Sequence, residues 1–66
     1  MKLIVNGNNY EHDGDNTIAG LLAAMGANAD KVAVAVNDDV IPRAERTNVR
    51  LKENDCVEIL VFAAGG

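Results

Sequence analysis

The sequence predicts an α+β fold, with one mixed sheet and a single helix packed on one face. Three observations point to it. Short β-rich runs alternate with turn residues along the chain, and only one segment carries an apolar stripe at helical spacing. That segment falls between an N-terminal hairpin and a later strand, so the chain crosses from one part of the sheet to another. The chain's 66 residues make one small domain, which buries only about 60% of its unfolded surface and must share a single core.

The first strand covers residues 2–6, Lys2-Leu3-Ile4-Val5-Asn6. Asn6-Gly7-Asn8-Asn9 then signals a hairpin, because Asn-Gly suits the positive φ of a tight turn. Tyr10-Glu11-His12 returns as the second strand, and Asp13-Gly14-Asp15-Asn16 breaks it. Thr17 is placed to cap a helix with its hydroxyl. Ile18, Leu21, Leu22 and Met25 follow as one apolar stripe, and Gly26 supplies the stop. Gly20 costs the helix roughly 1 kcal/mol against Ala unless close packing requires it.

Val32-Ala33-Val34-Ala35-Val36-Asn37 alternates large and small, a strand with its valines on one face. Asn37-Asp38-Asp39 turns, Val40-Ile41 is a very short strand, and Pro42 ends it. Residues 43–49 read as irregular polar surface. Asn54 is a positive-φ turn residue leading into the last and most apolar strand, residues 56–62. The order is β-β-α-β-β-β. In one mixed sheet under one helix, the first and last strands then lie parallel and central, which is the β-grasp arrangement.

Alternation assigns the faces. Leu3, Val5, Val57, Ile59 and Val61 point to the helix. Lys2, Ile4, Asn6, Cys56, Glu58, Leu60 and Phe62 point outward, with Glu58 marking the wet side. Ile4, Leu60 and Phe62 are expected to form an exposed apolar patch, a mark of a partner site.

The apolar fraction of 48% suits a globular domain, and the only aromatic residues are Tyr10 and Phe62. A formal charge of −4, with no basic stripe, argues against nucleic acid and favours basic partners. No apolar run approaches membrane-spanning length, and residues 1–5 are too short for a signal peptide. A cytoplasmic protein, monomeric when free, is expected. Cys56 is the single cysteine, so neither a disulfide nor a cysteine metal cluster arises, and beside Asp55 and Glu58 its thiolate is disfavoured. His12 reads as a hairpin surface residue, Arg43 and Arg46 as solvated surface, and Asp13, Asp15, Asp38 and Asp39 as turn formers. Nothing supplies an acid–base pair or an activated nucleophile, so no catalytic residue and no metal ligand is assigned.

The last four residues, Ala63-Ala64-Gly65-Gly66, follow an apolar strand. They read as a flexible tail, residues 63–66, on a single domain spanning 1–66. A terminal carboxylate on Gly66 is a chemical handle. Gly65, Ala64 and Ala63 give it access, since glycine without a Cβ threads a narrow channel.

Together, Leu3-Ile4-Val5-Asn6-Gly7, Thr17-Ile18 with Leu21-Leu22, Ala33-Val34-Ala35-Val36-Asn37, Val40-Ile41-Pro42-Arg43, Asn54-Asp55 with Val57-Glu58-Ile59, and Gly65-Gly66 resemble the sulfur-carrier proteins of thiamine biosynthesis (ThiS). The resemblance covers the whole chain in order and spacing. Arg46-Thr47 stand where the family often has Trp, and Asn54-Asp55 where it often has Gly-Asp.

The resemblance implies a ubiquitin-like carrier that is a protein substrate rather than an enzyme. A ubiquitin-activating-like adenylyltransferase uses ATP and magnesium to adenylate the Gly66 carboxylate. A sulfur donor such as a cysteine desulfurase converts it to a thiocarboxylate, which passes its sulfur to thiazole synthase. The carrier itself binds no cofactor. Two alternatives stay open: a carrier of another pathway, such as the small subunit of molybdopterin synthase, and a β-grasp binding module without tail chemistry.

Overall fold

The computed structural model describes residues 1–62. Five strands and one helix follow in the order β1 (Lys2–Val5), β2 (Asn8–Glu11), α1 (Ile18–Met25), β3 (Val32–Val36), β4 (Asp39–Ile41) and β5 (Cys56–Val61). Short 3-10 turns, Ala29–Lys31 and Arg43–Glu45, precede β3 and follow β4. The strands form one sheet in the order β2-β1-β5-β3-β4. β1 and β5 are parallel and the other pairs antiparallel, so the fold is the expected β-grasp.

Both hairpins are tighter than expected. Val5 pairs with Asn8 and Val36 with Asp39, which leaves two-residue turns. Asn6 and Gly7 have φ of 50° and 82°, and Asn37 and Asp38 have 50° and 73°. Two consecutive positive-φ residues reverse a hairpin with the strands' own twist. β2 therefore starts at Asn8 rather than Tyr10, and β4 at Asp39 rather than Val40.

The helix forms for the reasons read in its sequence. Thr17 Oγ1 accepts the Gly20 N–H at 3.1 Å and donates to Asp15 Oδ2 at 2.9 Å. Gly26, at φ 71°, closes the other end by donating to the Ala23 and Leu22 carbonyls. Gly20 does have a packing reason: a Cβ there would lie 2.7 Å from both the Cβ and the carbonyl oxygen of Asp15. Ile18, Leu21 and Leu22 pack on Leu3, Val5, Val34, Val57 and Ile59 from the sheet. Met25, at the end of the stripe, is 39% exposed.

Two polar residues expected on the surface are buried. His12 is 2% exposed; its Nε2 lies 2.6 Å from the Asp15 carbonyl, which as an acceptor requires the hydrogen on Nε2. Its backbone N–H donates to Met1 O, and this pairing past the end of β2 draws the ring inward. Arg46 is 6% exposed. Its guanidinium donates to Ala29 O at 2.9 Å and Val32 O at 2.7 Å, and its own carbonyl accepts from Ala19. Residues 43–49 are thus partly a structural strap from helix to β3. Arg43 stays exposed, paired with Asp30. The N-terminal ammonium is held above its ordinary value of 8.0, first by its hydrogen bond to Glu11.

Candidate functional site

β5 lies in the middle of the sheet and leads directly to residues 63–66. Along β3 it is paired over its whole length, from Val36↔Val57 to Val32↔Val61, and the Phe62 N–H still donates to Lys31 O at 3.0 Å. Along β1 it is paired only at Ile4↔Cys56 and Val5↔Val57. Beyond that point the Asn6 side chain takes over the role of the missing strand. Its Oδ1 accepts from Ile59 N at 2.8 Å and its Nδ2 donates to Ile59 O at 3.2 Å. β5 is therefore gripped from both sides to within three residues of Phe62.

The faces follow the alternation. Val57 and Ile59 are buried, while Cys56, Glu58, Leu60 and Phe62 are exposed. Val61 departs from it at 78% exposure, although its register partner Val32, the first residue of β3, is buried.

Leu60 is 67% exposed and Phe62 51%. Ile4 does not join them. Its register partner is Cys56, and the four residues from Cys56 to Leu60 along a strand cover roughly 13 Å. The residue that does extend the patch is Val40, 77% exposed on β4. Val40 pairs with Ala35, and Leu60 pairs with Ala33. The two alanines form a low floor between the larger side chains, a depression of about 90 Å³. The Val-Ala alternation of β3 thus sets both faces: valines make the core and alanines leave room outside. A register argument through Ala35 would have found Val40 from sequence.

Ile4 instead lines a wider open cleft of about 400 Å³ with Gly7, Asn37, Asp38, Cys56, Val57 and Glu58. Asn37 closes its wall, accepting from Cys56 N at 3.1 Å and donating to Asp55 Oδ1 at 3.0 Å. The Cys56 thiol is free and exposed. Among the described residues no group of three or more His, Cys, Asp or Glu is placed to hold a metal ion. No helix among them is long and apolar enough to cross a membrane. The tail residues Ala63, Ala64, Gly65 and Gly66 lie outside the described residues.

Known proteins resemble this chain over its full length. The ThiS family model matches residues 3–66. The crystal structure of a thiamine biosynthesis protein (ThiS) from Geobacter metallireducens is 36% identical, covers 100% of both chains and superposes with a TM-score of 0.84. A solution structure of a thiamine biosynthesis protein from the same organism is also 36% identical, with a TM-score of 0.79 over 100% of this chain and 88% of that one. Two curated relatives are described as thiazole synthase. The one from Paramagnetospirillum magneticum is 33% identical and the one from Magnetococcus marinus 36%, each over 66 residues. All of this chain is matched, but it spans only 20% of the length of each of these two.

Proposed function

Because the chain belongs to the ThiS family, we propose that it is a sulfur carrier of thiamine biosynthesis whose reactive group is the Gly66 carboxylate. The carboxylate is adenylated by an ATP-dependent activating enzyme, converted to a thiocarboxylate, and gives its sulfur to thiazole synthase. The observation that carries this reading is the family match running unbroken to residue 66, so that it includes the Gly65-Gly66 end.

The chemistry accounts for what the chain contains. A carboxylate resists nucleophiles because its charge repels them. Joining it to AMP makes a mixed anhydride with a good leaving group. Magnesium and the basic residues that stabilise phosphoryl transfer belong to the activating enzyme. The carrier contributes reach and fit and is not itself an enzyme. Four extended residues after Phe62 reach roughly 13 Å, enough to enter a pocket while the body docks outside. The exposed Leu60 and Phe62 near the exit of β5, with Val40 beyond β3, are suited to that docking. A cycle that uses ATP and a cysteine desulfurase's persulfide is in keeping with a cytoplasmic setting.

Thiazole synthase as the receiving partner is supported by the two relatives of that name, a fifth of whose length resembles this chain. The family match favours this pathway over that of molybdopterin synthase and over a binding module without tail chemistry.

C-terminal variants test the reading. Deleting Gly66, or adding one residue after it, abolishes sulfur loading by the activating enzyme while leaving the fold intact. Loading that survives either change refutes Gly66 as the reactive residue.

A further inference from the structure

The two hairpin turns are built alike, and one of them carries a chemical weakness. Asn6-Gly7 and Asn37-Asp38 have positive φ at every position, and in both the asparagine side chain reaches across to β5. Of the chain's eight asparagines only Asn6 is followed by glycine. Without a Cβ, Gly7 leaves the approach of its backbone nitrogen to the preceding side chain unobstructed. After Asn37 the side chain of Asp38 crowds the same approach. Asn6 and Gly7 are both exposed, so water and base reach them.

The hydrogen bonds decide when that approach is open. Asn6 Oδ1 accepts from Ile59 N at 2.8 Å, and Nδ2 donates to Ile59 O at 3.2 Å. With both amide atoms engaged on β5, Cγ is held toward Ile59 and away from the Gly7 nitrogen. An attack on Cγ has to wait until the side chain lets go, which is a local opening of the fold.

We propose that Asn6 is a site of covalent modification, gated by its own grip on β5: on release, the Gly7 nitrogen attacks Cγ and the amide is lost. A bond forms between Gly7 N and Asn6 Cγ, the Cγ–Nδ2 bond breaks, and Nδ2 leaves as ammonia with the proton from Gly7 N. Water then opens the cyclic imide at either carbonyl, giving aspartate or isoaspartate in place of Asn6. No oxidant or reductant enters. Neither product restores the grip. A carboxylate has no N–H for Ile59 O and sets acceptor against acceptor. Isoaspartate also lengthens the main chain by a carbon, which the two-residue turn between Val5 and Asn8 cannot absorb. The loss falls on β5 three residues before Phe62, in the strand that leads to the proposed reactive end.

The unaltered chain is aged at neutral and mildly alkaline pH, folded and in guanidinium, and the peptide carrying Asn6 is followed by mass for conversion of amide to acid. Mass excludes Asp13-Gly14, which forms the same imide without losing an amide. In guanidinium Asn6 should convert before the other seven asparagines. In the folded chain it should convert at least about thirtyfold more slowly, the factor for two hydrogen bonds. Both rates should rise with pH, because the attacking nitrogen must lose its proton. Asn6→Asp supplies one product without aging, and its Ile59 N–H should exchange about tenfold faster than that of the unaltered chain. An Asn6 that outlasts other asparagines in guanidinium, or converts as fast folded as unfolded, overturns the proposal. Ile59 exchange in Asn6→Asp equal to that of the unaltered chain overturns its structural consequence.

Discussion

Replacing Asn6 by alanine should loosen β5 where the tail begins, by an amount the structure allows to be worked out. The side chain makes two hydrogen bonds to the Ile59 backbone, at 2.8 and 3.2 Å. At about 1 kcal/mol net each, their loss removes about 2 kcal/mol. Asn6 also sits at φ 50°. Alanine in the left-handed region costs about 1 kcal/mol more. The total, about 3 kcal/mol, is about 30% or more of the roughly 3–10 kcal/mol expected for a domain this size.

Asn6→Gly separates the two contributions, because glycine accepts the turn without steric cost. It should lose about 2 kcal/mol, and somewhat more through its chain entropy. Guanidinium unfolding measures the loss, and amide exchange locates it. The Ile59 N–H, deprived of its acceptor, should exchange more than about tenfold faster than in the unaltered protein. Asn6→Gly with unchanged stability and unchanged Ile59 exchange would show that the side chain does not hold β5 and that the reasoning fails.

Leu60→Asp and Phe62→Asp should leave unfolding stability within about 0.5 kcal/mol, since both positions are exposed, yet weaken docking to the activating enzyme at least about tenfold. Calorimetric titration reads the docking, and a loss of folding instead would mean the outer face is misassigned. Gly20→Ala should destabilise by about 1 kcal/mol although alanine is the better helix former, because overpacking against Asp15 at roughly 2 kcal/mol exceeds the propensity gain of about 1. Thermal unfolding gives the sign, and a stabilised variant refutes the close contact. Arg46→Met should cost about 3 kcal/mol, because the carbonyls of Ala29 and Val32 lose charged donors. A denaturation midpoint equal to that of the unaltered protein argues against the strap.

Local signals in the sequence carried the elements well. Asn6-Gly7, the Thr17 cap, the Gly26 stop and the alternating valines of β3 each determine conformation through neighbouring residues, and each recurs in the structure. What the sequence concealed depends on tertiary contacts. Arg46 looks solvated until the backbone carbonyls of Ala29 and Val32 arrive from another segment to pair it, and His12 until the turn that follows it folds the nearby Asp15 carbonyl onto its ring. The outer patch needed the register between strands. Alternation placed Ile4 and Leu60 on one face, but only the pairing of Ile4 with Cys56 shows how far apart they stand. Val40 was hidden because a three-residue strand carries little periodic signal of its own.

The carrier reading stands or falls on the chemistry of one residue. The full chain is incubated with its activating enzyme, ATP, magnesium, a persulfide donor and an excess of a small thiol, which reduces the acyl disulfide formed on displacement of AMP and so frees the thiocarboxylate; its intact mass is then taken, followed by fragmentation. The account predicts an oxygen-to-sulfur mass increase confined to Gly66, absent when ATP is withheld. An unchanged terminus, under conditions in which an established carrier is converted, or a sulfur found on Cys56 instead, would contradict it.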